Sequence, residues 1–358
     1  MQLNKVLKTS SDFSITRLSG FVQDNIQFKN NSNLTLQVGL RYNYNSFNKE
    51  FLVAPRMSLS FKPRNWKKDV ILKTSIGAYH QPPFYREFRR YDGSINNNLQ
   101  AQKSWQATAG FDYNFKLFER PARISSELFY KAMNQVVAYD VDNVRLRYFG
   151  ENNAKAFATG GEIRLFGELV KDAESWVSIG FLKTKEDLKN DFYSQYKNAS
   201  GEFITSKSID QVVADSVRNE VGFVRRPTDR LITFGMFFQD YLSTNKNIKM
   251  YLNTLYGSNL PYNIPNNVKY RNALVIDPYL RIDLGLSALL LDKNNSKMRS
   301  KSPFRNFESV WVSFEIFNLI DRANTISYLL IKDFANNTFT LPDRLTPRLL
   351  NLKLVAKW

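Results

Sequence analysis

The chain has 358 residues, enough for one or two domains with a large core. It has no cysteine and a single histidine, His80, which excludes a disulfide framework and thiolate chemistry and argues against a zinc site. The formal charge is +17 and aromatic residues make up 14 % of the chain. Taken alone, that charge points to nucleic acid or an anionic membrane surface.

The opening stretch MQLNKVLKTSSDFS lacks the apolar core of a secretory signal, and residues 1–16 form a poorly defined leading segment. The protein is therefore either cytosolic or represented here by part of a longer chain. No apolar run of about 18 residues follows, so no membrane helix is expected. Alternation begins instead. Leu34, Leu36, Val38, Leu40, Tyr42 and Tyr44 fall on one face, against Thr35, Gln37, Gly39, Arg41 and Asn43 on the other. Val53, Met57, Leu59 and Phe61 oppose Arg56, Ser58, Ser60 and Lys62. SWQATAGFDYNFKL repeats the pattern, and Leu280, Ile282, Leu284 and Leu286 repeat it again near the end. A period of two is the strand period. The spacing predicts strands at 17–28, 33–44, 51–62, 68–80, 103–117, 121–140, 155–168, 174–186, 228–241, 247–258, 278–290, 306–332 and 346–358. Many exceed the usual strand length of a soluble sheet and suit a tilted crossing of a bilayer.

The connections alternate in length. NNS, PRNWK, FERP, VKDA and STNK are short; HQPPFYREFRRYDGSINNNLQAQ and residues 187–224 and 259–277 are long. The short SFNKE and the longer DKNNSKMRSKSPF are exceptions. Outer-membrane barrels have short periplasmic turns and long extracellular loops, and a periplasmic C-terminus puts nearly every long connection outside. A mean hydropathy of −0.39 fits such a barrel, because only one residue in two meets lipid. A soluble β-sandwich also alternates and stays open at this point. The count of thirteen is odd, whereas single-chain bacterial barrels have even numbers. Either 121–140 or 306–332 is wrongly divided, or the chain begins partway through a larger barrel. In the last stretch, LLNLKLVAKW, Leu350, Leu352, Leu354, Ala356 and Trp358 share one face of a terminal strand.

Several stretches resemble, in order, the C-terminal half of a TonB-dependent outer-membrane receptor of the form common in Bacteroidota. These are GAYHQPPFYREF (77–88), GENNAKAFATGGEIRLFGELVKDAESWVSIGF (150–181), RPTDRLITFGMFFQDYL (226–242), YGSNLPYNIPNN (256–267), DPYLRIDLGLS (277–287), WVSFEIFNLIDRANTISYLL (311–330) and LPDRLTPRLLNLKLVAKW (341–358). The resemblance implies an all-β, transmembrane antiparallel β-barrel in the cell outer membrane, with residues 17–358 supplying about 13 strands of a 22-stranded barrel. It also implies a plug domain and a TonB-pairing segment that have no counterpart in these residues, so that TonB is reached only through an N-terminal region. The implied activity is active uptake of a nutrient such as an iron chelate or glycan, with no covalent chemistry and no cofactor. Further implied partners are outer-membrane lipid, a surface lipoprotein and the barrel-assembly machinery, which reads a terminal strand ending in an aromatic such as Trp358. The alternative is a soluble or surface β-rich carbohydrate-binding module.

Ligand contacts are expected in the long loops. In QPPFYREFRRYDG, Phe84, Tyr85, Phe88 and Tyr91 offer rings to a flat ligand or a sugar, and Arg86, Arg89 and Arg90 offer forks to an anionic group. The competing reading packs these rings within the loop and turns the arginines to lipopolysaccharide phosphates. Tyr262, between Pro261 and Pro265, is the second candidate, and SIDQVVADSVRNEV within 187–224 is a candidate short helix. Arg41, Arg56, Asp112, Lys116, Glu162, Arg164, Arg281, Asp283, Glu315 and Lys353 fall on the lumen face, where buried charges need partners and ladders of opposite charge are expected.

The basic residues are spread over turns such as PRNWKK and are not gathered on one face, so nucleic acid is not expected as a partner. No GxSxG or HExxH is present, His80 stands at a strand end, and Asp140 and Asp142 lie near a turn; no enzyme chemistry is indicated.

Overall fold

The computed structural model describes residues 13–28, 33–142, 144–170, 173–242, 245–263, 267–293, 306–335 and 337–358. Most of the expected leading segment, the turn NNS, all but the first two residues of DKNNSKMRSKSPF, the centres of VKDA and STNK, and Pro265 lie outside the described residues. Every regular element among the described residues is a strand.

The wall begins as a meander of β1 (Arg17–Phe28), β2 (Asn33–Asn45), β3 (Glu50–Lys62), β4 (Asp69–Gln81), β5 (Gln102–Leu117) and β6 (Arg120–Val136). The chain then leaves it for a small hairpin, β7 (Tyr139–Asp142) and β8 (Arg145–Tyr148), and returns as β9 (Ala154–Val170) and β10 (Ala173–Leu188). A second hairpin, β11 (Phe192–Lys197) and β12 (Asp215–Glu220), precedes the short β13 (Val224–Arg225), which adds to β10. β14 (Ile232–Leu242) and β15 (Asn245–Gly257) rejoin the wall, followed by the hairpin β16 (Leu260–Tyr262) and β17 (Leu274–Ile276). The wall continues as β18 (Tyr279–Asp292) and β19 (Ser309–Phe317). A last hairpin, β20 (Thr325–Lys332) and β21 (Thr338–Arg344), leads to the final wall strand, β22 (Leu349–Lys357).

The main path of the sheet therefore holds thirteen strands, each antiparallel to its neighbour. The register sets like against like. Leu36 faces Leu59, Val38 faces Met57 and Tyr42 faces Val53 on one side of the sheet; Gln37 faces Ser58 on the other. One side of the wall is thus continuously apolar and unburied: Leu18 is 62 % exposed, Val22 76 % and Leu352 75 %. In water such a surface is unstable; in hydrocarbon it is the required one.

The compact apolar core sits among the loops at one end. Phe88, Leu99 and Val137 are buried there, packed by Phe13, Ile15, Phe47, Ile95 and Tyr148. A neighbouring cluster holds Val136, Ala138, Ala154 and Ala156. All four small hairpins lie in connections that leave the sheet at this end.

β1 pairs only with β2, and β22 only with β19, so the sheet has two open edges and does not close. Each unpaired backbone group held in lipid costs several kcal/mol.

Three expectations need correction. The predicted strand 121–140 stops at Val136, where the register shifts after Met133 and Gln135 takes a positive φ of 53°; Tyr139 starts a separate hairpin. The predicted strand 306–332 breaks at Asn318, φ 54°, and Asp321, φ 53°. Asn324 there returns both hydrogen bonds to the backbone of Leu280, at 2.9 Å each, and so ties the turn to β18. Lastly, SIDQVVADSVRNEV contains no helix; its second half is β12, paired through Val217 and Gln195 with β11. The β-branched Val217 in a cross-strand ladder suits the strand better than the weak helical spacing suits a helix.

Candidate functional site

The loop between β4 and β5 divides the candidate side chains. Phe88 is fully buried, with its ring 4.6 Å from that of Phe47 and 5.8 Å from that of Phe13, so it is a packing residue and not a ligand contact. Glu87 caps the turn by accepting the Phe84 backbone N–H at 2.8 Å, and burial pushes its carboxyl above the usual range. Arg90 is paired with Glu151 at 3.0 Å. Gly150 lets the two loops meet: at φ +71° its missing Cβ would lie 2.9 Å from the Arg90 nitrogen. Tyr91 donates to Asp140 at 3.1 Å and sets its ring edge-on to Phe149 at 5.0 Å. Burial and the Asp140 carboxylate hold its phenol well above the ordinary value. Phe84, Tyr85, Arg86 and Arg89 remain exposed, with Arg89 bridged through its backbone to Ile95.

Asp140 leads to a cluster that the sequence does not announce. Glu186, at the end of β10, has a fully buried side chain and lies between Arg271 Nη2 at 2.7 Å and Arg226 Nε at 3.1 Å. The Arg271 side chain, 5 % exposed, also lies 3.5 Å from Asp140, while Asn263 donates to the same carboxylate at 3.4 Å. Next in sequence, Asn272 donates to the Arg225 carbonyl at 2.8 Å, and Arg225 pairs with Asp229 at 2.6 Å. Three connections, β6–β9, β10–β14 and β15–β18, are pinned to the end of β10 in this way. The inward direction of Glu186 follows from alternation along β10; its partners come from distant loops and carry no local signal.

Tyr262 packs against Tyr328 with ring centroids 4.8 Å apart. The two rings border a cavity of about 110 Å³, closed also by Pro227, Pro261, Ile276 and Ile326. Three of the outer hairpins meet there, and Val144 N–H donates to Ser327 across them at 3.2 Å.

On the inner wall the expected ladders are present in part. Asp112 is bonded by Lys73, by Ser125 at 2.7 Å and by Arg123 at 3.3 Å. Arg164 donates to Glu162 of its own strand at 2.9 Å. Asp283 accepts from Arg281 at 2.7 Å, from the Asn318 backbone at 2.9 Å and from Asn253 at 3.3 Å. Glu315 accepts from Asn351 at 2.8 Å. Arg41 and Arg56 have no ion pair among the described residues, and Lys353 faces Ser313 in register. At the opposite end from the loops, Trp358 is 88 % exposed beside Phe307.

Residues 3–319 match the family described as TonB dependent receptor-like, beta-barrel. The chain belongs to that family. Solved structures agree on the fold. The siderophore receptor PiuA from Acinetobacter baumannii aligns with a TM-score of 0.61 at 15 % identity, over 96 % of this chain and 43 % of that one. The ferric enterobactin receptor PfeA from Pseudomonas aeruginosa gives 0.57 at 15 % identity, over 98 % and 46 %. The RagAB peptide transporter gives 0.51 at 15 % identity, over 85 % and 43 %. No curated protein sequence matches the chain. This receptor barrel thus spans less than half the length of the solved relatives and is, as its family is, an outer-membrane protein.

Proposed function

We propose that residues 17–358 are the C-terminal arc of a nutrient-uptake receptor, with the remaining strands and the interior domain contributed by sequence outside this arc. The observation that carries this reading is the single antiparallel wall of thirteen strands with one continuous apolar face and two open edges. Energy comes from TonB through the interior domain, and the loops that carry Phe84, Tyr85, Arg86 and Tyr262 meet the solute. The solute is an iron chelate, a glycan or a peptide. A surface lipoprotein over the loop end and the assembly machinery at the Trp358 strand complete the partners. The wide apolar face argues against the soluble carbohydrate-binding module, since a soluble protein covers such a face.

The absence of cysteine makes the test simple. Single substitutions Gln37→Cys and Val38→Cys are refolded into liposomes and treated with a membrane-impermeant maleimide. Gln37→Cys is expected to react and Val38→Cys to be protected. Equal reaction at both positions would show that the sheet does not meet lipid.

A further inference from the structure

Strand alternation puts four lysines on outward positions at the loop end of the wall: Lys103 on β5, Lys155 on β9, and Lys183 and Lys185 on β10. These strands are neighbours in the sheet, with β6 between β5 and β9. Among the described residues, no other strand on the main path of the sheet carries an outward lysine or arginine at this end. Two of the four are engaged: Lys103 lies 3.5 Å from Glu50, and Lys155 lies 3.0 Å from Asp187. Lys183 and Lys185 have no ion pair among the described residues, and the acids nearest them in sequence are taken. Glu186 points to the other face, where Arg226 and Arg271 hold it, and Asp187 is held by Lys155. The register also sets Lys185 directly opposite Arg225, and like charges so placed repel.

Directly below the two lysines the same face turns apolar. Phe181 and Ile179 continue the outward row of β10, with Ile163 on β9 and Leu128 on β6, and all four are exposed. Tyr130 stands in the register row of Lys183, and Trp105 in that of Lys185, both exposed. Such amphipathic rings favour the boundary between membrane and water. The lysines leave the strand about 7 Å apart, so both compact ammonium groups can reach one phosphate. An acidic soluble protein would have to enter the membrane to meet both halves of this patch. A lipid offers phosphate above and acyl chains below. We propose that Lys183 and Lys185, with Phe181 and Tyr130, form a binding site for an anionic lipid. Its headgroup phosphate lies between the two ammonium groups and its acyl chains run along the apolar face. The phosphate also offsets the repulsion that Arg225 adds. This rests on the outward face meeting lipid, which the Gln37→Cys and Val38→Cys pair tests separately. A chain that shows the alternating reactivity and yet holds no anionic lipid fails here alone.

The experiment is native mass spectrometry of the full chain, refolded in a neutral detergent and titrated with dioleoylphosphatidic acid. Dioleoylphosphatidylcholine and inorganic phosphate are the comparison ligands. A saturable adduct with phosphatidic acid is expected. It is expected to weaken at least tenfold when Lys183→Gln and Lys185→Gln are combined, and to persist when Lys183→Arg and Lys185→Arg are combined. Lys353→Gln, which removes an inward lysine on β22, is expected to leave it unchanged. Inorganic phosphate bound as tightly as phosphatidic acid would make this a site for the free ion and overturn the lipid assignment. Equal affinity for phosphatidylcholine would overturn it too. So would an adduct of undiminished strength in the Gln double variant, shown by circular dichroism to keep its sheet.

Discussion

Arg271 and Arg56 are the same residue in two environments. Arg271 is 5 % exposed and lies against two carboxylates, Glu186 and Asp140. Arg56 is half-buried on the open inner wall and lies against a tyrosine ring and neutral side chains. The difference shows how this barrel uses charge. Where loops close over a cation, desolvation is severe and only a paired cation is tolerated. Where the wall faces water, a cation keeps its hydration and needs no partner. Charge in the loops therefore holds elements together, and charge at Arg41 and Arg56 stays available.

The sharpest way to break this contrast is Arg271→Met. It leaves the buried Glu186 with Arg226 alone and takes from Asp140 its ion pair with Arg271. Removing one partner of a buried pair costs about 3–5 kcal/mol. The loss is expected as faster amide hydrogen exchange in the β7–β8 and β16–β17 hairpins, with the wall strands little changed. Unaltered exchange there would mean that the cluster does not hold the loops.

Asp112→Asn probes an intermediate case. The Asp112 side chain is 7 % exposed, but its cations Lys73 and Arg123 are 47 % and 49 % exposed. Both can turn to water when the acid is neutralised. The expected cost is about 1–2 kcal/mol, from lost charge-assisted hydrogen bonds, read from urea unfolding in detergent. A cost as large as that of Arg271→Met would erase the distinction between loop and wall.

The wall was legible because lipid imposes a rule on every second residue. Leu34, Leu36, Val38, Leu40, Tyr42 and Tyr44 must all face hydrocarbon, and the register that follows places Gln37 and Arg41 inside. Thirteen predicted strands correspond to the thirteen on the main path of the sheet. The errors fall where that rule lapses. Beyond Val136 and Phe317 the chain leaves the membrane, alternation persists by local propensity alone, and side-chain capping by Asn318 and Asn324 decides the path. Site residues were legible in the same uneven way. The inward face of Asp112, Asp283 and Glu315 follows from period two. That Phe88 packs inside its loop, that Tyr91 reaches Asp140, and that Arg271 reaches Glu186 depend on how separate loops converge. No spacing in the sequence carries that information.

A pH-dependent variant of the contrast lies next to the cluster. Burial, with Asp187 and Glu220 nearby, pushes the Asp191 carboxyl up to about 6, while Arg271 pulls it down. Lys155 occupies Asp187 at 3.0 Å. Below the ordinary carboxylate value of about 4, Asp191 is protonated whether the loop is closed or open. Between about 4 and about 6 the open loop ionises first, so opening gains ground as pH rises. Above that window the penalty is complete and constant. The protection factor of the Val221 amide, which donates to the Asp191 carbonyl at 3.2 Å, is therefore expected to fall across that window and then level off. Asp191→Asn is expected to remove the fall. A fall that survives the substitution would place the titrating group elsewhere.

The smallest effect tests the other side of the comparison. Arg41 is exposed and has no ion pair among the described residues, so Arg41→Gln deletes a charge that holds nothing. Its effect on unfolding is expected to stay within about 0.5 kcal/mol, the range of an ordinary surface substitution. A slight gain would fit equally well, since Arg56 sits diagonally across the pair and the two cations repel. The measurement is urea unfolding in the same detergent as for Asp112→Asn. A loss above about 2 kcal/mol would require a buried charged partner for Arg41, and the two inner-wall arginines would then belong with Arg271 as holders of structure. A neutral result separates two arginines in one protein: Arg271, whose removal loosens the loops, and Arg41, whose removal leaves the fold intact.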